Sequence, residues 1–145
     1  FTIRINQNFH QTMKECAQSK RPDQESTWIE DDMIKDYCKL NQLGIAHSIE
    51  AYHENKLVGG LYGLFLGQSF FGESMFFHMP EASKACLAKL VSIALEYNFH
   101  FIDCQVHTPH LEKLGAVEID RVKFLEKLKK SLEGKPKDFN WQSIQ

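Results

Sequence analysis

Long apolar runs are missing from this chain. No stretch approaches the roughly 18–20 consecutive apolar residues that a membrane helix needs, and no apolar leader with a small-residue cleavage site opens it. The reading is a cytoplasmic protein with no membrane contact. Cysteine is sparse: Cys16, Cys38, Cys86 and Cys104 stand far apart, with no CxxC pair and no disulfide-like spacing. That pattern excludes a secreted disulfide scaffold and fits reduced thiols. A dominant charge sign is also missing. Lys and Arg number 17 against 19 Asp and Glu, a net charge of −2. No global positive field advertises nucleic acid, although a local patch can sit inside a balanced total. Absent too are a GxSxG elbow, a Walker loop, a GxGxxG fingerprint, internal repeats and low-complexity tracts.

What is present is an ordinary globular composition, 43% hydrophobic and 25% charged over 145 residues. That is enough chain for a single domain, 1–145, with a real core. The first residue is Phe1 rather than Met, so the chain reads as part of a longer protein. FTIRI has strand character, and Asn8 is placed to cap a helix through FHQTMKECAQ. A polar loop follows and delivers Trp28. DDMIKDYCKLNQLG has acids first, apolar residues at helical spacing and Gly44 as a stop signal. IAHSIEAY, LVGGLYGLFL and SFFGESMFF then read as three strands of an antiparallel meander, reversed at HENK and at Gly67-Gln68. Gly59 and Gly60 mark either a close approach of backbone or simple crowding in the core.

EASKACLAKLVSIALEYN carries the strongest helical pattern, with Ala82, Cys86, Leu90, Ile93 and Ala94 on one face. HFIDCQV is expected as a central strand, HLEKLG as a short helix, AVEI as a short strand, and DRVKFLEKLKKSL as a helix capped by Asp120. The mixture predicts an α+β fold, a sheet with helices on its faces. The tract from Arg121 to Lys137 is strongly basic, with Glu126 and Glu133 its only acids. It is either a solvated helix face or a phosphate-contacting patch.

A few polar residues do not suit their neighbours. Glu73 sits in FFGESMFFHMP, among phenylalanines and methionines. It either faces water from a half-buried strand or faces a pocket and holds a cation. Alternation in HFIDCQV puts Asp103 and Gln105 on one face, an arrangement that costs free energy unless satisfied. Asp103 therefore either bonds a loop backbone or polarises a neighbour at a sheet edge, where pockets form. His47 and Glu50 point to opposite faces of their strand, which suits one surface position and one core hydrogen bond rather than a dyad. Cys104, His107, His110 and His78 lack a second ligand pair, so no metal is expected.

TWI at Thr27–Ile29, AHSIE, LVGGLYG at Leu57–Gly63, FFGESMF at Phe70–Phe76, ASK at Ala82–Lys84, IDCQV at Ile102–Val106 and HLEKLGA at His110–Ala116 occur in this order. Together they resemble the leucyl/phenylalanyl-tRNA–protein transferases, from Phe1 to about Leu128. The pairing of GESMF with IDCQ is the specific part. The resemblance implies an acetyltransferase-like (GNAT) mixed sheet flanked by helices. It implies an enzyme that moves Leu, Phe or Met from aminoacyl-tRNA to the N-terminal Arg or Lys of a protein, marking it for degradation by the bacterial N-end rule. Asp103, Gln105 and Glu73 take the catalytic and acceptor-handling roles, and Trp28 lies near the terminal adenosine.

The donor is already an activated ester, so no cofactor or metal is implied, and the acceptor amine must lose a proton and be held against the carbonyl. Asp103 is then the charged group, with Gln105 orienting the amine. Leu61, Phe70 and Met75 are candidate walls for the donor side chain, and Gly72 gives the acceptor backbone room. Arg121, Lys123, Lys127 and Lys130 are the expected tRNA contacts, and the protein is expected as a monomer. Two departures stand out: the smaller N-terminal domain usual in the family is missing, and Glu81 stands where Asn usually precedes ASK. Two alternatives remain, an acyl-CoA-dependent N-acyltransferase, whose glycine-rich pyrophosphate loop is not found, and a non-catalytic domain that binds basic N-termini or tRNA ends.

Overall fold

The computed structural model describes residues 1–19 and 31–144. Five strands pair in sequence order: β1 (Thr2–Ile5), β2 (Ala46–His53), β3 (Lys56–Leu66), β4 (Ser69–Phe77) and β5 (Ile102–Asp103). The first four are antiparallel, and β5 joins β4 in parallel. Helices α1 (Phe9–Gln18), α2 (Asp31–Gln42), α3 (Ala82–Glu96), α4 (Pro109–Lys113) and α5 (Arg121–Ser131) fill the connections. A short 3₁₀ turn, Trp141–Ser143, ends the described chain.

Local chemistry accounts for most of these boundaries. The Asn8 side chain accepts the Gln11 backbone N–H and starts α1 as its sequence predicts. Glu54 and Asn55, both at positive φ, form the two-residue hairpin turn between β2 and β3. That turn matches the strands' own twist. Gly59 is a true close approach, because a Cβ there would lie 2.5 Å from the Cβ of Ala82 at the head of α3. Crowding between helix and sheet, rather than a ligand, selects glycine at that position.

The meander has a core on each side. Ile49, Leu61, Phe70, Cys86, Leu90, Ile93 and Trp141 cluster on the α3 face. Phe9, Met13, Cys16, Ile34, Tyr62 and Phe76 cluster beneath α1 and α2. Seven of the eight β2 residues are consequently buried, so neither His47 nor Glu50 reaches the surface. Their opposite orientations hold, but the expected surface position for one of them does not. His47 stacks on Trp141 with ring centroids 4.3 Å apart. Burial lowers its pKa to about 4, against a smaller upward pull from its bond to the Gly44 carbonyl, so it stays neutral near pH 7. Glu50 is fully buried and accepts four hydrogen bonds: two from the Asn8 backbone N–H, one to each oxygen (2.8 and 3.1 Å), one from Ser48 (2.7 Å) and one from Tyr52 (2.8 Å).

Three further expectations need correction. AVEI forms no strand; residues 116–120 are loop, and Val117 is 81% exposed. HFIDCQV gives a two-residue strand at the sheet edge rather than a central one. Asp120 occupies the cap position of α5 but its side chain makes no capping bond.

The head of α3 carries strain. Glu81 is held at φ 70° and provides no side-chain cap. A left-handed backbone costs a glutamate about 1 kcal/mol and an asparagine less. Its ion pair with Lys84 (2.7 Å) is solvent-exposed and returns little. Glu81→Asn should therefore stabilise the fold by about 0.5–1 kcal/mol, read as a higher denaturant midpoint at unchanged m-value. An unchanged or lower midpoint would show that the strain is absorbed elsewhere.

Candidate active site

β5 pairs with β4 only at Phe70–Ile102 and Phe71–Asp103, after which the two strands part. A cavity of about 830 Å³ opens in that gap, within the usual size range of small-ligand pockets. Leu61, Phe70 and Met75 line it together with Leu87, Leu90 and Leu111. The three expected wall residues thus do share one space. Glu73, Asp103 and Gly72 line it too, and its lining contains no lysine or arginine among the described residues.

The position of Glu73 follows from a β-bulge. Tyr62 pairs with Ser74 and Gly63 with Gly72, so Glu73 is an extra residue opposite no partner. A bulge re-aims a side chain and shifts the alternation of everything after it. The two cores carry the signature. Phe70 and Met75, five residues apart, pack on the α3 side, and Phe76 packs on the other. In a regular strand Phe70 would share a face with Phe76 instead.

Beyond Asp103 the chain turns rather than continuing as a strand, with Gln105 at φ 63°. The expected alternation therefore stops, yet the turn brings the same residues together by another route. The Gln105 backbone N–H donates to Asp103 Oδ1 (2.8 Å). Its side-chain amide donates to the Gly72 carbonyl (2.8 Å) and to Glu73 Oε1 (3.2 Å). The loop-bonding role foreseen for Asp103 is realised, and it leaves the second carboxylate oxygen uncommitted by that bond. Both amide hydrogens of Gln105 are used, so its carbonyl oxygen is the atom that can accept from a substrate N–H.

Burial raises the pKa of Glu73 above the ordinary carboxylate value, the Gln105 bond pulls it down, and the charge of Asp103 pushes it up again. Tyr37 of α2 is raised as well, by burial first and by Glu73 second, which places its phenol within electrostatic reach of that carboxylate. The Cys104 thiol is pushed up by burial and by Asp103, so it is a poor nucleophile. A Cβ at Gly72 would meet only the Asp103 carbonyl, at 3.4 Å; the strand geometry alone does not demand glycine there.

Other expectations fare unevenly. Trp28 lies outside the described residues. Arg121, Lys123, Lys127 and Lys130 are all exposed. At 3.6 residues per turn the three lysines share one side of α5 and Arg121 falls on the opposite side, so the four do not form one patch. No group of three or more His, Cys, Asp or Glu is placed to hold a metal ion among the described residues, and no described helix is long and apolar enough to cross a membrane. Tyr62, His78, Ser83 and Leu87 also line the cavity; the sequence weighed His78 only as a metal ligand, quoted Ser83 only within the ASK motif, and offered neither Tyr62 nor Leu87 as a site residue. The spacing of Ser83, Leu87 and Leu90 along one face of α3 was the available signal.

Solved structures of similar fold include several acetyltransferases. They include a predicted acetyltransferase with acetyl-CoA from Clostridium acetobutylicum (TM-score 0.61, 14% identity, covering 83% of this chain and 92% of that one). A ribosomal-protein-alanine N-acetyltransferase from Brucella melitensis biovar Abortus 2308 is similar (TM-score 0.60, 16% identity, 83% and 93% covered). At such identities the likeness concerns the fold, which is acetyltransferase-like (GNAT), as the sequence resemblance implied. Sequence similarity goes further. Leucyl/phenylalanyl-tRNA–protein transferases of Idiomarina loihiensis and Rubrobacter xylanophilus are each 46% identical, over 139 and 133 residues. These alignments cover 96% and 91% of this chain but 58% and 67% of the relatives, so the chain spans about three fifths to two thirds of their lengths. The sequence profile of the leucyl/phenylalanyl-tRNA protein transferases matches residues 1–129, a stretch that contains both sides of the split sheet and the whole Glu73–Asp103–Gln105 cluster, and this chain belongs to that family.

Proposed function

We propose that the chain is the catalytic domain of an enzyme that moves Leu, Phe or Met from aminoacyl-tRNA to the N-terminal Arg or Lys of an acceptor protein, marking it for N-end rule degradation in the bacterial cytoplasm. The carrying observation is the character of the cavity. One wall is apolar, from Leu61, Phe70 and Met75, and the charged residues facing it are the carboxylates Glu73 and Asp103, without a lysine or arginine among the described lining residues. An apolar donor side chain and a cationic acceptor both find complementary surface there.

The chemistry is ester aminolysis. The acceptor's ammonium first gives up one proton; the amine nitrogen then attacks the ester carbonyl, the C–O bond to the ribose breaks, and a second amine proton passes to the departing ribose oxygen, which leaves as a hydroxyl. Gln105, tethered by Gly72 and Glu73, accepts from the amine through its carbonyl oxygen. Glu73, its proton affinity raised by burial, neutralises the ammonium and is suited to take its proton. Asp103 fixes the Gln105 turn and adds negative charge. The lysines of α5 supply phosphate contacts. The direct test is transfer of radiolabelled leucine from charged tRNA to an Arg-initiated peptide, with acyl-CoA as a parallel donor. Label that reaches the peptide only from acyl-CoA, or not at all, overturns the proposal.

Asp103→Asn separates charge from geometry, because an asparagine oxygen can still accept the Gln105 N–H. Turnover should fall by roughly 10²–10³, the range for a lost electrostatic stabiliser, with the thermal midpoint kept; a wild-type rate would remove Asp103 from the mechanism. Glu73→Gln should lower acceptor kcat/KM at least about tenfold while donor KM holds. The same variant has a stability signature. Burial raises the folded-state pKa of Glu73, so its stabilising contribution is complete below the ordinary carboxylate range and is lost as pH rises through the raised value. The glutamine lacks that loss, so the variant's Tm should gain on wild type between about pH 4 and pH 7 and converge with it in more acid solution. The opposite slope would mean that Glu73 is stabilised as an anion. Donor choice is a third check. A pocket shaped for side chains unbranched at Cβ should favour Leu-tRNA over Ile-tRNA by about 1–3 kcal/mol, or 10–200-fold in kcat/KM; equal values would contradict the assignment of the apolar wall.

A further inference from the structure

Two serines are buried where the chemistry above asks for neither. Ser69, the first residue of β4, and Ser131, the last residue of α5, are fully buried, and their hydroxyls lie 2.6 Å apart. The turn before Ser69 closes on the same helical residue. The Gln68 backbone N–H donates to the Ser131 carbonyl (3.1 Å) and to its hydroxyl oxygen (3.2 Å), and the Gln68 side-chain amide donates to that carbonyl as well (3.3 Å). A Cβ at Gly67 would fall 2.3 Å from the Ser131 carbonyl oxygen, so the approach leaves room for glycine alone. The last carbonyls of a helix have no partner inside it, and α5 bonds one of them to the β3–β4 turn.

That turn also holds the approach to β5. The Gln68 carbonyl accepts from the His100 N–H (2.8 Å), and the Phe70 N–H donates to the Phe101 carbonyl (3.2 Å). The Phe101 ring lies 5.6 Å from the ring of Phe71 on β4 and 5.6 Å from that of Phe124 on α5. Ser131 and Phe124 therefore fasten both strands to one helix, immediately below the two-pair ladder.

Above the ladder the strands part, and the site straddles them. Glu73 stands two residues past Phe71, and Gln105 two residues past Asp103. The Gln105 amide crosses the gap to the Gly72 carbonyl (2.8 Å) and to Glu73 (3.2 Å). Two rungs make a short hinge, so the register and angle at which β4 meets β5 are set from below. A change of about 0.5 Å in that divergence takes the longer bond beyond useful range. The apolar wall is less sensitive to it. Leu61, Phe70, Met75, Leu87 and Leu90 sit on β3, β4 and α3, all on one side of the split.

We propose that Ser131 is a positioning residue for the acceptor: through Ser69 and Gln68 it fixes the register of β4 against β5, and with it the placement of Gln105 on Glu73. Its kinetic consequence rests on aminoacyl transfer to a basic N-terminus; the geometric one does not.

Three variants test it. Ser131→Val replaces the hydroxyl by a bulkier apolar group that must push against Ser69. Ser131→Ala removes the hydroxyl and keeps the carbonyl that Gln68 binds, so it decides the matter if the valine variant does not fold. Met13→Ala, in the core on the other face of the sheet, is a destabilised control. The first readout is the Gln105 side-chain amide pair in a heteronuclear NMR spectrum. Both Ser131 variants should move it toward the position of a solvent-exposed glutamine, the valine further, while Met13→Ala leaves it in place. The second readout is kinetic. A misplacement of 1 Å costs up to about 10²-fold, so acceptor kcat/KM should fall about 10–100-fold in Ser131→Val while donor KM stays within about twofold. An amide signal that moves in neither Ser131 variant overturns the proposal whatever the rates do. A signal that moves while acceptor kcat/KM holds removes Ser131 from the reaction, and equal losses for donor and acceptor reduce its role to folding. If the wild type transfers no amino acid, the functional reading fails, and the amide signal alone still decides whether Ser131 sets the gap.

Discussion

A ladder of two residue pairs holds β5 to β4, and the site exists because it is no longer than that. Had the strands stayed together, their backbone groups would have satisfied one another and closed the gap. Instead the chain turns at Gln105, and a side-chain amide takes the place of the next rung by donating to the Gly72 carbonyl. A backbone acceptor at the rim of a cavity is thereby satisfied by a side chain rather than by a strand. The bulge one residue later completes the arrangement: it turns Glu73 toward the opening and sends Met75 to the same side as Phe70.

Such an open edge needs a rigid sheet behind it. Glu50 supplies part of that rigidity from the middle of β2. A fully buried carboxylate is tolerable only when its oxygens are saturated, and here the saturating donors come from two elements, the strand itself and the start of α1. The helix is in this way fastened to the sheet at its first residue. The same burial has chemical side effects. The Tyr52 phenol is raised well above its usual range, chiefly by desolvation and then by Glu50, and the Cys86 thiol is pushed up to about 12, again by burial and then by Glu50. Neither group ionises near neutrality.

Much of this was legible in the sequence, and the limits have physical causes. The boundaries of α1 and β4, the Gly44 stop of α2 and the hairpin at Glu54-Asn55 follow from local chemistry, which a sequence carries in full. The membership of the site, Glu73 with Asp103 and Gln105, was legible through resemblance and through their awkwardness among apolar neighbours. Their geometry was not. A bulge at Glu73 depends on how β3 and β4 pair, and a strand that ends at Asp103 depends on where β4 leaves it; both are facts about partners distant in sequence. The burial of His47 has the same origin, since its cover is Trp141. AVEI failed for the converse reason: its alternation is real, but the segment lies exposed and pairs with none of the described strands. Ser83 hid because a serine early in a helix is unremarkable until its hydroxyl is found facing a cavity.

Trp141 lies twelve residues past the last position that the family's sequence profile matches, residue 129. It is nonetheless part of the main core, with Phe65, Phe70, Phe99 and Phe139 packed around it. A protein trimmed at residue 129 would keep Glu73, Asp103 and Gln105 and lose the cover over the back of Phe70, leaving an aromatic face wet and adhesive. The tail beyond the family profile is the one that keeps the pocket wall from becoming a surface.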